Sequence, residues 1–169
     1  MKRYLLILIL LCLLVPSVLL SANGDLDTAM NLYHQGEFKK AKSILKRITK
    51  ENPDAVVAWF YLGNCYRELQ DNEEAIDAYK KAMALDSSNT DVRLNLGIAY
   101  YKEKDYSNAI ETYKELVKID PKNADARFWL GVCYDHIARV GNAFEQYRIL
   151  KSMGEKELAD KLYSVIFLD

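Results

Sequence analysis

The sequence predicts an all-helical solenoid of four antiparallel helix pairs on a 34-residue period, closed by one further helix at the C-terminus. Three observations predict it. Five residue columns repeat at a spacing of 34 without a gap: Leu62, Leu96 and Leu130; Gly63, Gly97 and Gly131; Tyr66, Tyr100 and Tyr134; Ala41, Ala75, Ala109 and Ala143; Tyr79, Tyr113 and Tyr147. Within a unit, apolar residues recur at three-and-four spacing, which gives a helix one buried face. Half of the residues are hydrophobic and only three are proline, so the chain can bury a core.

From the N-terminus, residues 1–24 read as a leader. Lys2 and Arg3 give it a positive start, Tyr4 to Leu20 is apolar apart from Cys12, Pro16 and Ser17, and Ala22-Asn23-Gly24 fits a small-residue cleavage site. Two readings stand. One is a cleaved secretory signal, which Pro16 and the small residues after it favour. The other is a retained inner-membrane anchor, for which the apolar run is about long enough. In both, the positive end stays in the cytoplasm and the body is exported to a periplasmic or other extracytoplasmic space. Ile9-Leu10-Leu11 before Cys12 lacks the small residue of a lipoprotein signal, so no lipid is expected there.

The first unit, residues 25–55, is degenerate: Ala29 stands in the glycine column, Leu32 and Leu45 replace tyrosines, and Gly36-Glu37-Phe38 makes its turn. A terminal unit tolerates this because one face meets solvent. In the second, residues 56–89, Trp59, Leu62, Tyr66 and Leu69 mark one amphipathic helix. Ala75, Ile76, Tyr79, Ala82 and Met83 face inward on the next, with Gln70-Asp71-Asn72 as the turn. So short a turn makes the two helices antiparallel neighbours. Gly63 and Ala75 are small where the paired helices approach closely. Glycine inside a helix costs up to about 1 kcal/mol, so glycines at one turn of three helices need a packing reason. Residues 90–123 and 124–157 repeat the plan, and Pro53 and Pro121 each end one pair before the next begins. Residues 155–169 form a last helix, with Leu158, Leu162 and Ile166 four apart. Its layout fits a cap on the last unit, while Phe167 and Leu168 keep open a role in docking a partner or a membrane surface.

The motif W-x2-L-G-x2-Y is whole at Trp59, Leu62, Gly63 and Tyr66, and Arg93 and Arg127 occupy the tryptophan column of the later units. On these residues the chain resembles the tetratricopeptide repeat family, over about residues 22–157. The resemblance implies a right-handed superhelix whose concave side, lined by the first helix of each pair, takes a partner protein or peptide. Carried over column by column, that side is Leu26, Phe60, Leu94 and Phe128, then Met30, Asn64, Ile98 and Val132, then Tyr33, Arg67, Tyr101 and Asp135, with Asn95 beside them. Phe60 and Phe128, large aromatics outside the packing columns, read either as binding anchors or as fillers between units. Asn64 and Asn95 read as hydrogen-bonders to a peptide backbone. Some members of the family grip a partner's C-terminal carboxylates with two lysines, two asparagines and an arginine. The matching positions here are Phe60, Asn64, Asn95, Asp125 and Trp129, without a cation, so no such clamp is expected.

Composition and spacing argue against other functions. The net charge is −1, and because Lys2 and Arg3 lie in the leader the body carries 21 basic and 24 acidic residues, without the basic footprint of a nucleic-acid binder. His34 and His136 are three units apart; at roughly 8–10 Å per helix step they cannot share a metal or a substrate. Cys65 and Cys133, two units apart, cannot approach within the roughly 7 Å a disulfide needs and are expected to be small buried residues. C-x2-C, H-E-x-x-H, G-x-S-x-G and phosphate-cradling glycine loops are all missing, and Asp86, Asp91, Asp105 and Asp125 fall near helix starts. No catalytic residue, metal or cofactor is expected. The function expected is an extracytoplasmic protein–protein interaction module, an adaptor or assembly factor. The short basic leader and the lack of an N-x-S/T sequon point to bacteria. The alternatives are a membrane-anchored structural component and, behind it, an enzyme or carbohydrate binder on the same scaffold. Membrane contact is expected only through a retained leader.

Overall fold

The structure, a computed structural model, describes residues 24–168. The apolar leader and its cleavage site lie outside the described residues. The helices are α1 over residues 24–34, α2 (Phe38–Glu51), α3 (Val56–Glu68), α4 (Asn72–Leu85), α5 (Thr90–Lys102), α6 (Tyr106–Ile119), α7 (Ala124–His136), α8 (Val140–Met153) and α9 (Lys156–Phe167). No strand occurs among the described residues, and none of their helices is long and apolar enough to cross a membrane.

From α2 onward each helix packs against the next. The first helices of successive pairs also touch, α3 with α5 and α5 with α7, whereas α2, α4, α6 and α8 bring no Cα atoms within 8 Å of one another. A stack that is tight along its first helices and splayed along its second curves toward the first. The first-helix side is therefore concave and the outer side is furrowed.

One contact sets the spacing within a pair. A Cβ on Gly63 would lie 2.6 Å from the ring of Tyr79, and one on Gly97 would lie 2.5 Å from the ring of Tyr113. Both tyrosines are fully buried. The glycine and tyrosine columns are thus two halves of one interaction, with Ala75 and Ala109 buried beside it. The fourth pair departs from this pattern. There Leu162 of α9 takes the place of the ring, 2.5 Å from a Cβ on Gly131. Tyr147 is displaced to partial exposure, packed at 5.5 Å against Tyr163. α9 lies on both α7 and α8; Ala159 and Leu162 are buried beneath it, while Tyr163 and Phe167 stay exposed.

The turns inside the pairs follow one rule that residue type does not advertise. Gly36, Gln70, Lys104 and Ala138 all adopt left-handed backbone, with φ of 78°, 66°, 60° and 58°. At each, the next amide reaches back to close the helix: Glu37 N–H to Leu32 at 2.9 Å, Asp71 to Tyr66 at 2.9 Å, Asp105 to Tyr100 at 2.9 Å and Arg139 to Tyr134 at 2.8 Å. A side chain in this conformation costs about 1–2 kcal/mol, held by the packing on either side. At the helix starts, Asn89, Asp105 and Asn123 accept the backbone N–H of Val92, Asn108 and Ala126 at 3.0, 3.1 and 2.9 Å.

Gly97→Ala should lower stability by about 1–3 kcal/mol, because the new methyl meets the fixed Tyr113 ring. Gly141→Ala, where a Cβ meets nothing within 4 Å on helix α8, should instead raise it by up to about 1 kcal/mol. Urea midpoints of the two variants measure both signs.

Candidate partner-binding face

The concave side is built by α1, α3, α5 and α7. Leu26, Met30, Tyr33, Phe60, Arg67, Leu94, Asn95, Ile98, Tyr101, Phe128 and Asp135, the residues expected to line it, are half-buried on these helices and mostly apolar. Two residues assigned to it from the sequence lie beneath it. Asn64 is only 6% exposed, and its Oδ1 accepts the Tyr79 hydroxyl at 2.7 Å. Val132 is 4% exposed because α9 covers it. Asn95 donates to its own helix, Nδ2 to the Asp91 carbonyl at 2.8 Å. Asn64 is therefore committed to the core, while Asn95 keeps its Oδ1 and one N–H after its bond to the helix.

Phe60 and Phe128 combine the two roles the sequence left open. Phe60 packs 6.2 Å from Tyr79 and joins the cluster between α4 and α5. Phe128 joins the cluster around Leu150 and Leu162. Each fills space between units and keeps an edge in solvent.

Stronger anchor candidates emerge from a pattern that the 34-residue comparison passed over. Tyr33 packs on Phe38 and Tyr61 at 5.5 and 5.4 Å, with His34 at 5.4 Å. Two units on, Tyr101 packs on Tyr106 and Trp129 at 5.8 and 5.0 Å. His136 stacks flat on Tyr106 at 4.6 Å and meets the Tyr101 hydroxyl through Nε2 at 3.0 Å. Tyr33 and Tyr101, Phe38 and Tyr106, and Tyr61 and Trp129 are each 68 residues apart, so two aromatic clusters recur at every second unit. Spacings of twice the period were the signal that could have found Phe38, Tyr61, Tyr106 and Trp129. In the alternate units the Tyr33 column holds Arg67 and Asp135. Arg67 pairs with Glu68 at 2.8 Å, while its Nε is buried without a partner.

Burial governs the titratable groups. It raises the Tyr33 and Tyr101 hydroxyls above their ordinary value. It pushes the Tyr79 and Tyr113 hydroxyls well above theirs, and the Cys65 and Cys133 thiols up to about 11 and about 12. Both thiols are free and buried, so they are protonated and unreactive at neutral pH. The Tyr113 hydroxyl has no hydrogen-bond partner among the described residues, because Ile98 stands where Asn64 serves Tyr79.

Comparison with known proteins places the chain among tetratricopeptide proteins. Residues 44–158 match the family described as cytochrome c-type biogenesis protein H TPR domain, and residues 23–55 match a tetratricopeptide repeat family. Over 81 residues the chain is 35% identical to the peroxisomal targeting signal receptor of Candida albicans; the match covers 46% of this chain and 14% of that receptor, so the chain spans about a seventh of that relative's length. Among solved structures, the MamA protein superposes with a TM-score of 0.75 at 23% identity, covering 85% of this chain and 87% of that one. A tetratricopeptide repeat protein from Parabacteroides merdae superposes with a TM-score of 0.79 at 18% identity, covering 86% and 59%. YrrB, described as a TPR protein with an unusual peptide-binding site, gives 0.70 at 19%, covering 84% and 82%. At these identities the structural likeness shows the fold.

Tyr79→Phe should cost about 1–3 kcal/mol, since it strands the buried Asn64 carbonyl. Tyr113→Phe removes a hydroxyl that has no partner and should leave stability unchanged or higher; chemical denaturation separates the two. For pH the sign follows from burial. The folded state holds the protons of Cys65, Cys133, Tyr79 and Tyr113 more tightly than the unfolded chain does. Stability should therefore be full at neutral pH and fall progressively above about pH 8.5, where unfolded thiols begin to ionise, the loss continuing as unfolded tyrosines do near pH 10. Urea midpoints across pH 7–11 check this.

Proposed function

The chain belongs to the cytochrome c-type biogenesis protein H TPR domain family, and from that membership we propose that it is an extracytoplasmic adaptor or assembly factor holding one segment of a partner protein along its concave face. Protein–protein interaction is the function of such scaffolds. The location and the assembly role are supported by the family's description and by the leader read from the sequence. A retained leader would tether the same face to a membrane, and N-terminal sequencing of the mature protein separates the tethered form from the released one.

The observation that carries the reading is the pair of partly exposed aromatic clusters at a two-unit interval, Tyr33–Phe38–Tyr61 and Tyr101–Tyr106–Trp129, each made of two first-helix residues and the first residue of a second helix at the turn. Two helix steps of 8–10 Å put them roughly 20 Å apart. An extended segment spans that distance in about six residues and a helical one in about thirteen. The partner would therefore carry two apolar side chains at one of those spacings. Beyond the clusters, Asp135, which is in no ion pair among the described residues, favours a cation at that end of the segment.

A photocrosslinking residue at position 33 or 101 should trap the partner in the native envelope, whereas one at Lys118, exposed on the outer helix α6, should not. Tyr61→Ala or Trp129→Ala alone should weaken capture about 30-fold, the loss of one anchor of roughly 2 kcal/mol, and the two together by more, with helicity unchanged by circular dichroism. Adducts at Lys118 alone would overturn the assignment of the face.

A further inference from the structure

The outer furrows between second helices are not equivalent, and the difference traces to one column. Arg93 on α5 is buried between α4 and α6: its guanidinium donates to the Ser87 carbonyl at 2.7 Å and to Glu115 at 2.6 Å, and it lies 3.4 Å from the Met83 sulfur. Arg127 on α7 does the same one furrow later, donating to the Pro121 carbonyl at 2.7 Å and to Gln146 at 3.4 Å. Each arginine bridges its furrow floor to the far wall. In the first furrow the column holds Trp59. Its indole N–H donates to the equivalent carbonyl, Pro53, at 2.7 Å, but nothing carries it across. The positions matching Glu115 and Gln146 are Lys81 and Ala78.

The result is a slot of about 470 Å³ between α2 and α4, floored by Trp59, Leu62, Tyr66 and Ala78. Lys46, Lys50 and Lys81 line it, all exposed and none in an ion pair among the described residues. Glu74 and Asp77 also line it. Glu74 lies in the first turn of α4 and Lys81 seven residues on, roughly 10 Å along the axis. The acidic wall thus sits toward the end where Lys42 already pairs with Asp71 at 3.1 Å, and the free ammonium groups gather at the other. The positions equivalent to the three lysines are Lys80, Ala84 and Glu115 in the next furrow and Lys114, Lys118 and Ile149 in the one after it, so all three lysines coincide in this slot and at most two in the others.

We propose that this slot is a second binding site, on the outer face, for an acidic segment of a partner protein that lays one aromatic or branched apolar side chain on Trp59 and Ala78 and sets its carboxylates against Lys46, Lys50 and Lys81. A chain suits the furrow because α2 and α4 bring no Cα atoms within 8 Å of one another, above a floor where Ala78 joins the cluster of Leu45 and Ile48; sites for small molecules enclose most of the ligand surface, and this one stays open. Charge sets the direction, with the carboxylates at the C-terminal ends of α2 and α4. Nothing in this assignment depends on the concave face.

The test is fluorescence anisotropy of the full chain with a labelled ten-residue peptide of alternating Glu and Leu around one Phe, beside a counterpart carrying Lys for every Glu. The acidic peptide should bind saturably and the basic one should not. Lys46→Glu, Lys50→Glu and Lys81→Glu together, all at exposed positions, should weaken binding roughly tenfold or more. Trp59→Arg with Lys81→Glu rebuilds the bridge seen at Arg93 and Glu115, closes the slot and should abolish binding while the helical signal persists. Three outcomes would overturn the site: no saturable binding, equal binding of the basic peptide, or binding that survives the lysine substitutions and falls with Tyr61→Ala and Trp129→Ala.

Discussion

The architecture depends on a tyrosine ring lying on a backbone that has no side chain. At Gly63 and Gly97 the ring of the partner helix comes within 2.6 and 2.5 Å of where a Cβ would stand, a distance open to glycine alone. That contact brings first and second helices together along one line. It leaves the second helices of neighbouring pairs apart, and the stack curves as a consequence. The glycine's helix penalty of about 1 kcal/mol is offset by burying a whole aromatic ring. The last pair shows that the requirement is for bulk on the glycine and not for tyrosine itself. Leu162 of α9 enters from beyond the repeat and satisfies Gly131, and Tyr147, relieved of that duty, turns outward.

The same ring carries a polar hydroxyl into the core, and the units solve that problem differently. Tyr79 has Asn64; Tyr113 has nothing. An asparagine in a column of otherwise apolar residues reads from the sequence as a ligand-facing amide, because nothing in its neighbours along the chain reveals a tyrosine fifteen residues later reaching across to it. The fold class, the helix pairs and the packing columns were legible because close packing repeats a residue type wherever it repeats a shape. The left-handed column at 36, 70, 104 and 138 was illegible for the opposite reason. Its conformation is imposed by the helices on either side, so Gly, Gln, Lys and Ala serve alike. The aromatic clusters fell between these cases: their residues do recur, but at twice the period, and a search at one period sees only half of each pattern.

A division of labour follows between columns that keep their residue and columns that change it. Constant columns hold helices at fixed distances. Changing columns receive that fixed frame and can vary what it displays. On the concave side the Tyr33 column runs tyrosine, arginine, tyrosine, aspartate, which converts a uniform wall into an alternation of aromatic and charged stations with a polarity along its length.

On the outer side the tryptophan column shows how small such a change can be. Tryptophan and arginine both reach the same carbonyl of the preceding turn, through Pro53, Ser87 or Pro121, so either residue can end one pair and begin the next. They differ in what is left over. Arginine has further donors, finds Glu115 or Gln146, and spans the furrow at that level with a partly buried bridge. Indole has one donor and spends it on the carbonyl, so its apolar face remains uncovered in a slot whose lysines form no ion pair among the described residues. The residue that most clearly marks the repeat is therefore also the one that leaves its surface unfinished, and a surface both apolar and cationic is completed by chemistry from outside the chain.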